Sequence, residues 1–559
     1  MNRFDRSATL LFATAVAVMA CGSLGDADRK LRQAARAITA EAYRAHVQSF
    51  SADEMEGRGP GTAGEKRAVE YLEQQFLELG LQPANSGSFR QDVPLVEITA
   101  TAPHLSFARG AAGMTLAFGE DMVIGTQRVQ PESGIRDSEV VFVGYGIVAP
   151  EYGWDDYAGV DMHGKTALIL VNDPGFVTGD PALFRGRAMT YHGRWTYKFE
   201  EAARQGAAAA IIIHDTAPAA YDWQVVRNGW SGPQFHADAA DGHAGRCAIE
   251  GWISHARAGQ LMEIAGQDLA ALQAAAVQRG FRPLPLGITA TAGVRNIIRR
   301  ARSPNVAGII PGKDRPDEYV IYVAHWDHLG RALALTGDTI YNGAADNATG
   351  IAGILTIARA YRELMPGPSR SVMFLAVTAE ESGLIGSEYY ASHPLVRLDK
   401  TAAVINIDAL LPLGRATDVE VIGSGASQLE DLLARAAKAQ DRTLAPDRRS
   451  EAGYFYRSDH FNFAKAGVPA LYVKSGTTLR DVPAEKGLAL ADEYYAARYH
   501  RPNDQYEASW DVSGSVEDLK LLFEVGVRVA NGKVWPEWYQ GNEFRAVREA
   551  SAASRAAKP

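Results

Sequence analysis

The sequence predicts an α/β fold in which a mostly parallel, mixed sheet is covered by helices on both sides. Four segments in its second half are almost continuously apolar, as strands buried on both faces should be: 318–324, 371–377, 402–407 and 468–473. Helical patterns lie between or beside these segments, at 351–364, 384–391, 427–439 and 516–529. In sheets of this kind, ligands bind outside the carboxyl ends of the strands.

Length and composition indicate several globular domains. A chain of 559 residues is too long for one core, which predicts two to four domains. Hydrophobic residues make up 47% and charged residues 22%, values ordinary for a globular protein. The net charge of −9 and the lack of a Lys/Arg-rich run argue against nucleic acid as a partner. Nothing in the sequence indicates an oligomeric state.

The amino terminus predicts export. Residues 1–20 read as a signal peptide, because two arginines precede an apolar stretch that is too short for a permanent membrane span. This stretch ends in Val-Met-Ala and Cys21, which resembles a bacterial lipobox and predicts a lipid anchor at Cys21 in the bacterial cell envelope (periplasm or outer membrane). The alternative is simple secretion, with cleavage after Ala17 or Ala20.

Cysteine content agrees with either route. Besides Cys21, the chain contains only Cys247, so the exported protein is expected to lack disulfides and to depend on its cores for stability. We expect Cys247 to be an inert core or loop residue.

Residues 21–40 are predicted to be a linker, and residues 41–99 to form the amino-terminal part of the catalytic domain. Thr62 and Glu65 form a capping box that opens an amphipathic helix over 68–79. The preceding segment, 56–61, is rich in glycine and is expected to be a flexible loop that either approaches a site or turns the chain.

Residues 100–292 have a different sequence pattern, in which short β-like runs alternate with turns rich in glycine and proline. Strands are predicted at 139–145, 166–171 and 208–213, with a helix at 195–205. The histidines here are scattered, so this region is predicted to be an inserted, non-catalytic domain. The catalytic part then spans 293–538, and 539–559 is expected to be a flexible tail.

Five short segments place an imidazole or a carboxylate where an apolar run ends or in a loop near one. They contribute His325, Asp346, the pair Glu380-Glu381, Asp408 and His500. Each has an ordinary alternative, such as a core histidine, a helix cap or an edge charge. Their common occurrence at one rim of a sheet favours a metal site instead. Zn²⁺ accepts imidazole nitrogen and carboxylate oxygen at about 2.0–2.2 Å, and two such ions would suit this donor set.

The neighbours of these residues suggest distinct roles. Successive side chains cannot share one role at one metal, so one residue of Glu380-Glu381 can bind while the other moves protons, as in a hydrolase. A helix cap accounts for Asn347, whereas Asp346 could bridge two ions with its two oxygens. Asp327 could accept a hydrogen bond from a metal-bound His325.

The segments 324–330, 337–350, 378–394, 405–408, 457–469 and 499–506 resemble the co-catalytic zinc aminopeptidase family. Relatives of that family include secreted bacterial leucyl aminopeptidases, glutamate carboxypeptidase and the non-enzymatic transferrin receptor. The likeness covers roughly residues 40–95 and 295–530, and implies the family's zinc-peptidase (phosphorylase/hydrolase-like) fold. The insert at 100–292 resembles the protease-associated domain, on its strand pattern and the segment 152–157.

The resemblance implies a role for each residue. His325 and Asp408 would bind one zinc ion, Glu381 and His500 the other, and Asp346 would bridge them. Glu380 would be the general base, Asp327 would orient His325, and Tyr499 would be an oxyanion donor unless it only packs. Asp459 and His460 match a family segment but receive no role.

The implied function is a zinc-dependent exopeptidase acting on peptides, foremost an aminopeptidase. A carboxypeptidase or dipeptidase on the same fold is the first alternative, since Arg457 or Arg501 could hold a substrate carboxylate. A non-catalytic, receptor-like protein is the second, although such degeneration would be expected to remove ligands, and all five are present.

Overall fold

The computed structural model describes residues 25–26, 28–331, 337–480 and 482–556. The predicted signal peptide and Cys21 lie outside these residues. The strands are β1 (Gln82–Pro83), β2 (Arg90–Arg109), β3 (Ala112–Leu116), β4 (Met122–Gly125), β5 (Glu132–Phe142), β6 (Val148–Ala149), β7 (Trp154–Asp155), β8 (Thr166–Leu170), β9 (Ala209–His214), β10 (Pro233–Ala237), β11 (Ile249–Ser254), β12 (Leu284–Ile310), β13 (Arg315–His325), β14 (Arg370–Val377), β15 (Thr401–Asn406), β16 (Asp418–Val421), β17 (Thr443–Pro446) and β18 (Ala470–Ser475).

The α-helices are α1 (Ala40–Phe50), α2 (Ala63–Glu78), α3 (Pro174–Thr178), α4 (Trp195–Arg204), α5 (Thr216–Ala219), α6 (Trp223–Gly229), α7 (His255–Ala265), α8 (Leu269–Ala276), α9 (Thr349–Glu363), α10 (Ile385–Ser392), α11 (Leu429–Lys438), α12 (His460–Lys465), α13 (Ala484–Ala497), α14 (Ser513–Asn531) and α15 (Arg545–Ala556). Among the described residues, no helix combines the length and the apolar character that crossing a bilayer requires.

The chain forms two compact units. The first comprises the described residues up to Asp92, Pro304–Pro446 and those from Asp459 onward. The second comprises Val93–Ser303 together with Asp447–Ser458. The second unit is thus wider than the predicted insert 100–292 and takes in a later segment, because that segment packs on it despite its distance in sequence.

The first unit contains a mixed, mostly parallel sheet, which confirms the predicted fold class. Its strand order is β17-β16-β18-β15-β13-β14-β12, where β12 contributes residues 306–310. The strands β13, β14, β15 and β18 run parallel, whereas β12 and β16 join antiparallel. Val323 pairs with Leu375 on one side and Asn406 on the other, so three parallel strands end at one edge.

The core of this unit explains why its strands are apolar throughout. Every residue of β14 and β15 is buried, as is the end of β13. Tyr322 stacks on Phe374 with ring centroids 5.5 Å apart, and Tyr361 of α9 meets Phe374 edge-on at 6.1 Å. Helices α9 and α14 supply most of their buried residues to the same core, as helices covering a parallel sheet must.

The capping box predicted at the start of the second helix is present in altered form. Thr62 Oγ1 accepts the N–H of Glu65 at 3.4 Å, and Glu65 Oε2 accepts the N–H of Gly61 at 2.7 Å. The glutamate therefore reaches one residue further back than the motif predicts, and α2 begins at Ala63.

The second unit is rich in β-structure. Strands β5, β8, β9 and β11 run parallel, and β4 joins them antiparallel. Asp156 accepts the indole N–H of Trp154 at 2.8 Å and the N–H of Ile147 at 3.0 Å, so the 152–157 segment has a structural role here. Cys247 is free and buried, and burial raises its pKa to about 12. The assignment to a protease-associated domain remains a prediction.

The carboxyl-terminal segment differs from the flexible tail that the sequence predicts. Residues Arg545–Ala556 form α15. Its Arg548 is fully buried and donates to the carbonyl oxygens of Thr401 at 3.0 Å and Ala402 at 3.2 Å, at the start of β15. A segment rich in alanine and arginine is typical of a flexible tail. In this protein Arg548 instead anchors the helix to the sheet.

Candidate metal centre

Three parallel strands deliver the predicted side chains to one edge of the sheet. His325 is the last residue of β13, Glu380 follows β14 by three residues, and Asp408 follows β15 by two. Because His325 pairs with Val377 across the ladder, the ends of β13 and β14 are level. The sheet therefore brings together residues that are far apart in the chain.

Asp346 lies between the two predicted histidines. Its Oδ1 is 3.2 Å from Nε2 of His325, and its Oδ2 is 3.2 Å from Nε2 of His500. The aspartate is almost fully buried, with a side chain 5% exposed. One oxygen facing each imidazole is the arrangement that a carboxylate bridging two ions requires.

The remaining predicted ligands complete a group on each side of Asp346. Asp408 Oδ1 is 3.5 Å from Nε2 of His325, whereas Glu381 Oε2 is 3.0 Å from Nε2 of His500. Donor atoms of His325, Glu380 and Asp408 lie within 4.8 Å of one another, and so do those of His325, Asp346 and Glu381. The structure thus brings together all five residues predicted as ligands and also Glu380.

These distances are also those expected between ligands of one metal ion. Nε2 of His500 is buried, with two carboxylate oxygens within 3.2 Å. Donor atoms around one ion approach each other closely without pointing at each other. Imidazole and carboxylate donors are those that zinc accepts, so the residues present fit the predicted ions.

Backbone amides hold the loop that carries Asp346. The carboxylate of Asp504 accepts the N–H of Ala345 at 3.1 Å and of Asp346 at 3.1 Å. Asn347 Oδ1 accepts the N–H of Gly350 at 2.8 Å and of Ala409 at 3.2 Å, which links the start of α9 to the Asp408 loop. Asn347 thus has the capping contact predicted for it, and Asp504 was not predicted.

Asp327 contacts the backbone of the glutamate pair as well as His325. Its carboxylate accepts the N–H of Glu380 at 3.1 Å and lies 3.4 Å from the N of Glu381. The same carboxylate is 3.9 Å from Nδ1 of His325, and the backbone oxygen of Asp327 is closer, at 3.2 Å. The Asp327 side chain therefore fixes the turn that presents both glutamates, while its carbonyl faces His325.

Tyr499 lies against His500. The two rings stack with centroids 3.9 Å apart and an interplanar angle of 23°. This contact orients the imidazole, and the predicted oxyanion role of the tyrosine hydroxyl remains a prediction. His500 is 35% exposed whereas His325 is 1% exposed, so only the His500 imidazole reaches the surface, with its Nε2 still buried.

The charges of the cluster shift the protonation of its members. Burial alone lowers the pKa of His500, but Glu381 and Asp346 raise it to about 10. The pKa of His325 is likewise held well above its usual value, since Glu380, Asp346 and Asp408 outweigh burial. Burial raises the pKa of Glu380 well above its usual value, with Glu381 adding to the effect and His325 opposing it.

Arg58 is a residue of the site whose role the sequence left open. It lies in the loop predicted either to approach a site or to turn the chain, and it is fully buried. Its guanidinium donates to the carbonyl oxygens of Trp326 at 2.8 Å, Asn342 at 2.6 Å and Gly343 at 2.9 Å. Arg58 therefore ties the His325 loop to the Asp346 loop, and burial lowers its pKa to about 10.

Two further buried residues flank the centre. Asp459 and His460 stand at the start of α12, and both are fully buried. Burial raises the pKa of Asp459 to about 7, with Asp408 and Glu381 adding to the rise and His325 opposing it.

The two arginines considered for holding a substrate carboxylate differ in position. Arg501 is exposed, and Arg457 belongs to the second unit.

The fold and the donor set define an α/β protein with a candidate metal-binding cluster of histidines and acids at the carboxyl edge of its sheet. Residues 305–523 match the model of peptidase family M28. The part of the chain that carries the predicted ligands is therefore similar to this family, as the resemblance predicted.

Individual proteins are similar to parts of this chain. The chain is 36% identical over 137 residues to mouse "Aminopeptidase NAALADL1", covering 23% of this chain and 17% of that protein. It is 28% identical over 190 residues to the "Glutamate carboxypeptidase 2 homolog" of Caenorhabditis elegans, covering 33% and 23%. It therefore spans less than a quarter of these relatives.

A solved structure extends the likeness to nearly the whole chain. The aminopeptidase from Aneurinibacillus sp. strain AM-1 covers 90% of this chain and 97% of its own, with a TM-score of 0.51 and 22% identity. At this identity the match supports the fold.

Proposed function

We propose that the protein is a zinc-dependent exopeptidase that binds two zinc ions and releases single residues from the amino terminus of peptides. The observation that carries this proposal is Asp346, whose two oxygens each lie 3.2 Å from a different histidine Nε2. A structural zinc site closes around one ion, whereas a bridged pair with an adjacent carboxylate suits hydrolysis.

The protein would supply a base next to the metals. When bound, two zinc ions would lower the pKa of a water and polarise the scissile carbonyl. Glu380 would take the proton from the attacking water and return it to the leaving amine. Its donor atom lies within 4.8 Å of those of His325 and Asp408, and Asp327 accepts its backbone N–H.

Peptide substrates and the choice of terminus are part of the proposal. One relative is named an aminopeptidase, which supports release of amino-terminal residues. Another is named a glutamate carboxypeptidase homologue, which is consistent with the carboxypeptidase alternative. An aminopeptidase needs a free substrate amine, whereas a carboxypeptidase needs a cation for the substrate carboxylate. The exposed Arg501 is a weak candidate for that cation.

A substrate panel separates these readings. Purified protein is incubated with aminoacyl chromogens, amino-blocked dipeptides and free dipeptides, each with and without chelator. Chelator-sensitive cleavage of aminoacyl chromogens alone supports the aminopeptidase. Cleavage of blocked dipeptides supports the carboxypeptidase, and cleavage confined to free dipeptides supports the dipeptidase. Zinc binding with no turnover of any substrate would favour the receptor-like alternative.

Metal uptake should depend on pH and release protons. Zinc binds neutral imidazole, but the carboxylates hold His325 and His500 protonated, with the pKa of His500 raised to about 10. Affinity should therefore rise as the pH rises toward about 10, and more than one proton should leave each chain near neutral pH. Calorimetry of stripped protein in buffers of different ionisation enthalpy measures this release. Uptake without proton release would contradict the assignment of both histidines.

We also propose that the mature protein is exported to the bacterial envelope and anchored through Cys21. The support is the sequence alone: the short apolar run and the junction that ends in Cys21. The substitution Cys21→Ser should move active enzyme from the membrane fraction to the soluble fraction, with Cys247→Ser as the control. A wild-type protein that is already soluble, with an unmodified amino terminus beyond Cys21, would indicate ordinary secretion instead.

A further inference from the structure

A third histidine lies inside the centre and has no role in the proposal above. His328 is three residues beyond His325, in the loop that follows β13, and its side chain is fully buried. Its Nδ1 is 2.5 Å from Oε1 of Glu381. The ring of His328 lies 5.7 Å from that of His500, at an interplanar angle of 73°.

The direction of this hydrogen bond follows from the chemistry of the partner. A carboxylate that binds a metal is ionised and can only accept, so Nδ1 of His328 must carry the proton and donate it. The bond occupies Oε1 of Glu381, while Oε2 faces Nε2 of His500 at 3.0 Å. Only one oxygen of Glu381 is then presented to the metal side.

The surrounding backbone holds the ring in place. A Cβ on Gly343 would come within 2.6 Å of the His328 ring, so only glycine allows the ring to pack there. The N–H of His328 lies 3.4 Å from the carbonyl oxygen of Arg58, whose guanidinium binds the oxygen of Gly343. The ring of His328 is therefore packed against Gly343, and its backbone is held at Arg58.

We propose that His328 is a positioning residue that restricts Glu381 to binding zinc through the single oxygen Oε2. Without this donor the carboxylate is free to rotate or to bind through both oxygens, which weakens the site shared with His500. Residues that orient a ligand typically contribute about 10- to 100-fold in metal affinity. This inference rests on the proposed metal centre and adds to it the control of one ligand.

Two matched substitutions test it. In His328→Asn the amide nitrogen stands near the position of Nδ1 and keeps the donor, whereas in His328→Gln it stands near Nε2 and removes it. Zinc affinity, measured by competition with a chromophoric chelator, should fall about 10- to 100-fold in His328→Gln for one ion only. The Asn variant should stay within about threefold of the wild type, and the melting temperature of each metal-free variant checks folding.

Spectroscopy supplies a readout that packing alone would not move. The visible spectrum of the cobalt-substituted protein should change in His328→Gln and not in His328→Asn, because only the former frees the second oxygen. NMR of protein labelled with ¹⁵N-histidine identifies the His328 signal as the one present in the wild type and missing from His328→Asn. This signal should show a proton on Nδ1. This last measurement holds even if the Gln variant does not fold.

The outcomes separate the two proposals. Wild-type protein that binds no divalent metal would overturn the proposed function. Wild-type protein that binds two ions, with His328→Gln equal to it or both variants equally impaired, would overturn the role of His328 alone. A proton on Nε2 rather than Nδ1 in the metal-bound protein would overturn it as well.

Discussion

The substitution Glu380→Gln is expected to abolish most of the catalytic rate while leaving metal and fold in place. Glutamine keeps the size and the backbone contact with Asp327 but cannot accept a proton. General acid–base groups contribute about 10²- to 10⁴-fold, so kcat should fall by at least that range with little change in KM. Steady-state kinetics on the best aminoacyl substrate, with zinc content measured in the same samples, checks this.

The control for this experiment is Glu388→Gln, an exposed glutamate on α10. It should keep full activity. By contrast, Glu381→Ala should lose metal affinity, since Glu381 lies 3.0 Å from His500 among the predicted ligands. If Glu380→Gln and Glu381→Ala behaved alike, the division of roles between the adjacent glutamates would be wrong.

The substitution Asp346→Ala is expected to weaken the binding of both ions. Each of its oxygens faces a different histidine, as expected of a carboxylate shared by both predicted ions. The loss in affinity should exceed the roughly 10- to 100-fold that a residue supporting a ligand contributes. Equilibrium dialysis against zinc, followed by elemental analysis, measures the two stoichiometries.

Folding should survive this change. In the metal-free protein Asp346 lies between two protonated histidines, so its removal breaks both ion pairs, and the melting temperature without zinc should fall while the protein still folds. The exposed Asp492 on α13 provides the control Asp492→Ala, which should bind zinc as the wild type does. Loss of a single ion in Asp346→Ala would show that this carboxylate does not bridge.

Much of the fold and of the ligand set can be predicted from sequence because it rests on local patterns. Strands buried on both faces must be apolar throughout, so 371–377 and 402–407 coincide with β14 and β15 to within a residue. A polar residue directly after such a strand is conspicuous, which is why Asp408 and the Glu380-Glu381 pair could be singled out. The parallel sheet then brings these residues to one edge.

The contacts that hold the ligand loops in position depend on residues distant in the chain. Arg58 reaches Trp326 across 268 residues, and Asp504 holds the amides of Ala345 and Asp346 across more than 150. Neither contact leaves a periodic or spaced signal in the sequence. Only the packed structure shows that an arginine in a glycine-rich loop is fully buried.

The tertiary structure likewise determined the contacts of individual side-chain atoms in the centre. Sequence proximity suggested that Asp327 would orient His325, and the structure adds that its carboxylate binds an amide beyond β14, because β13 and β14 end side by side. His328 was passed over since a histidine in a loop carries no pattern. Sequence alone determined the residue types that can bind metal and the strands that present them. The fold decided their orientation, because hydrogen bonds between distant segments set the position of each side chain.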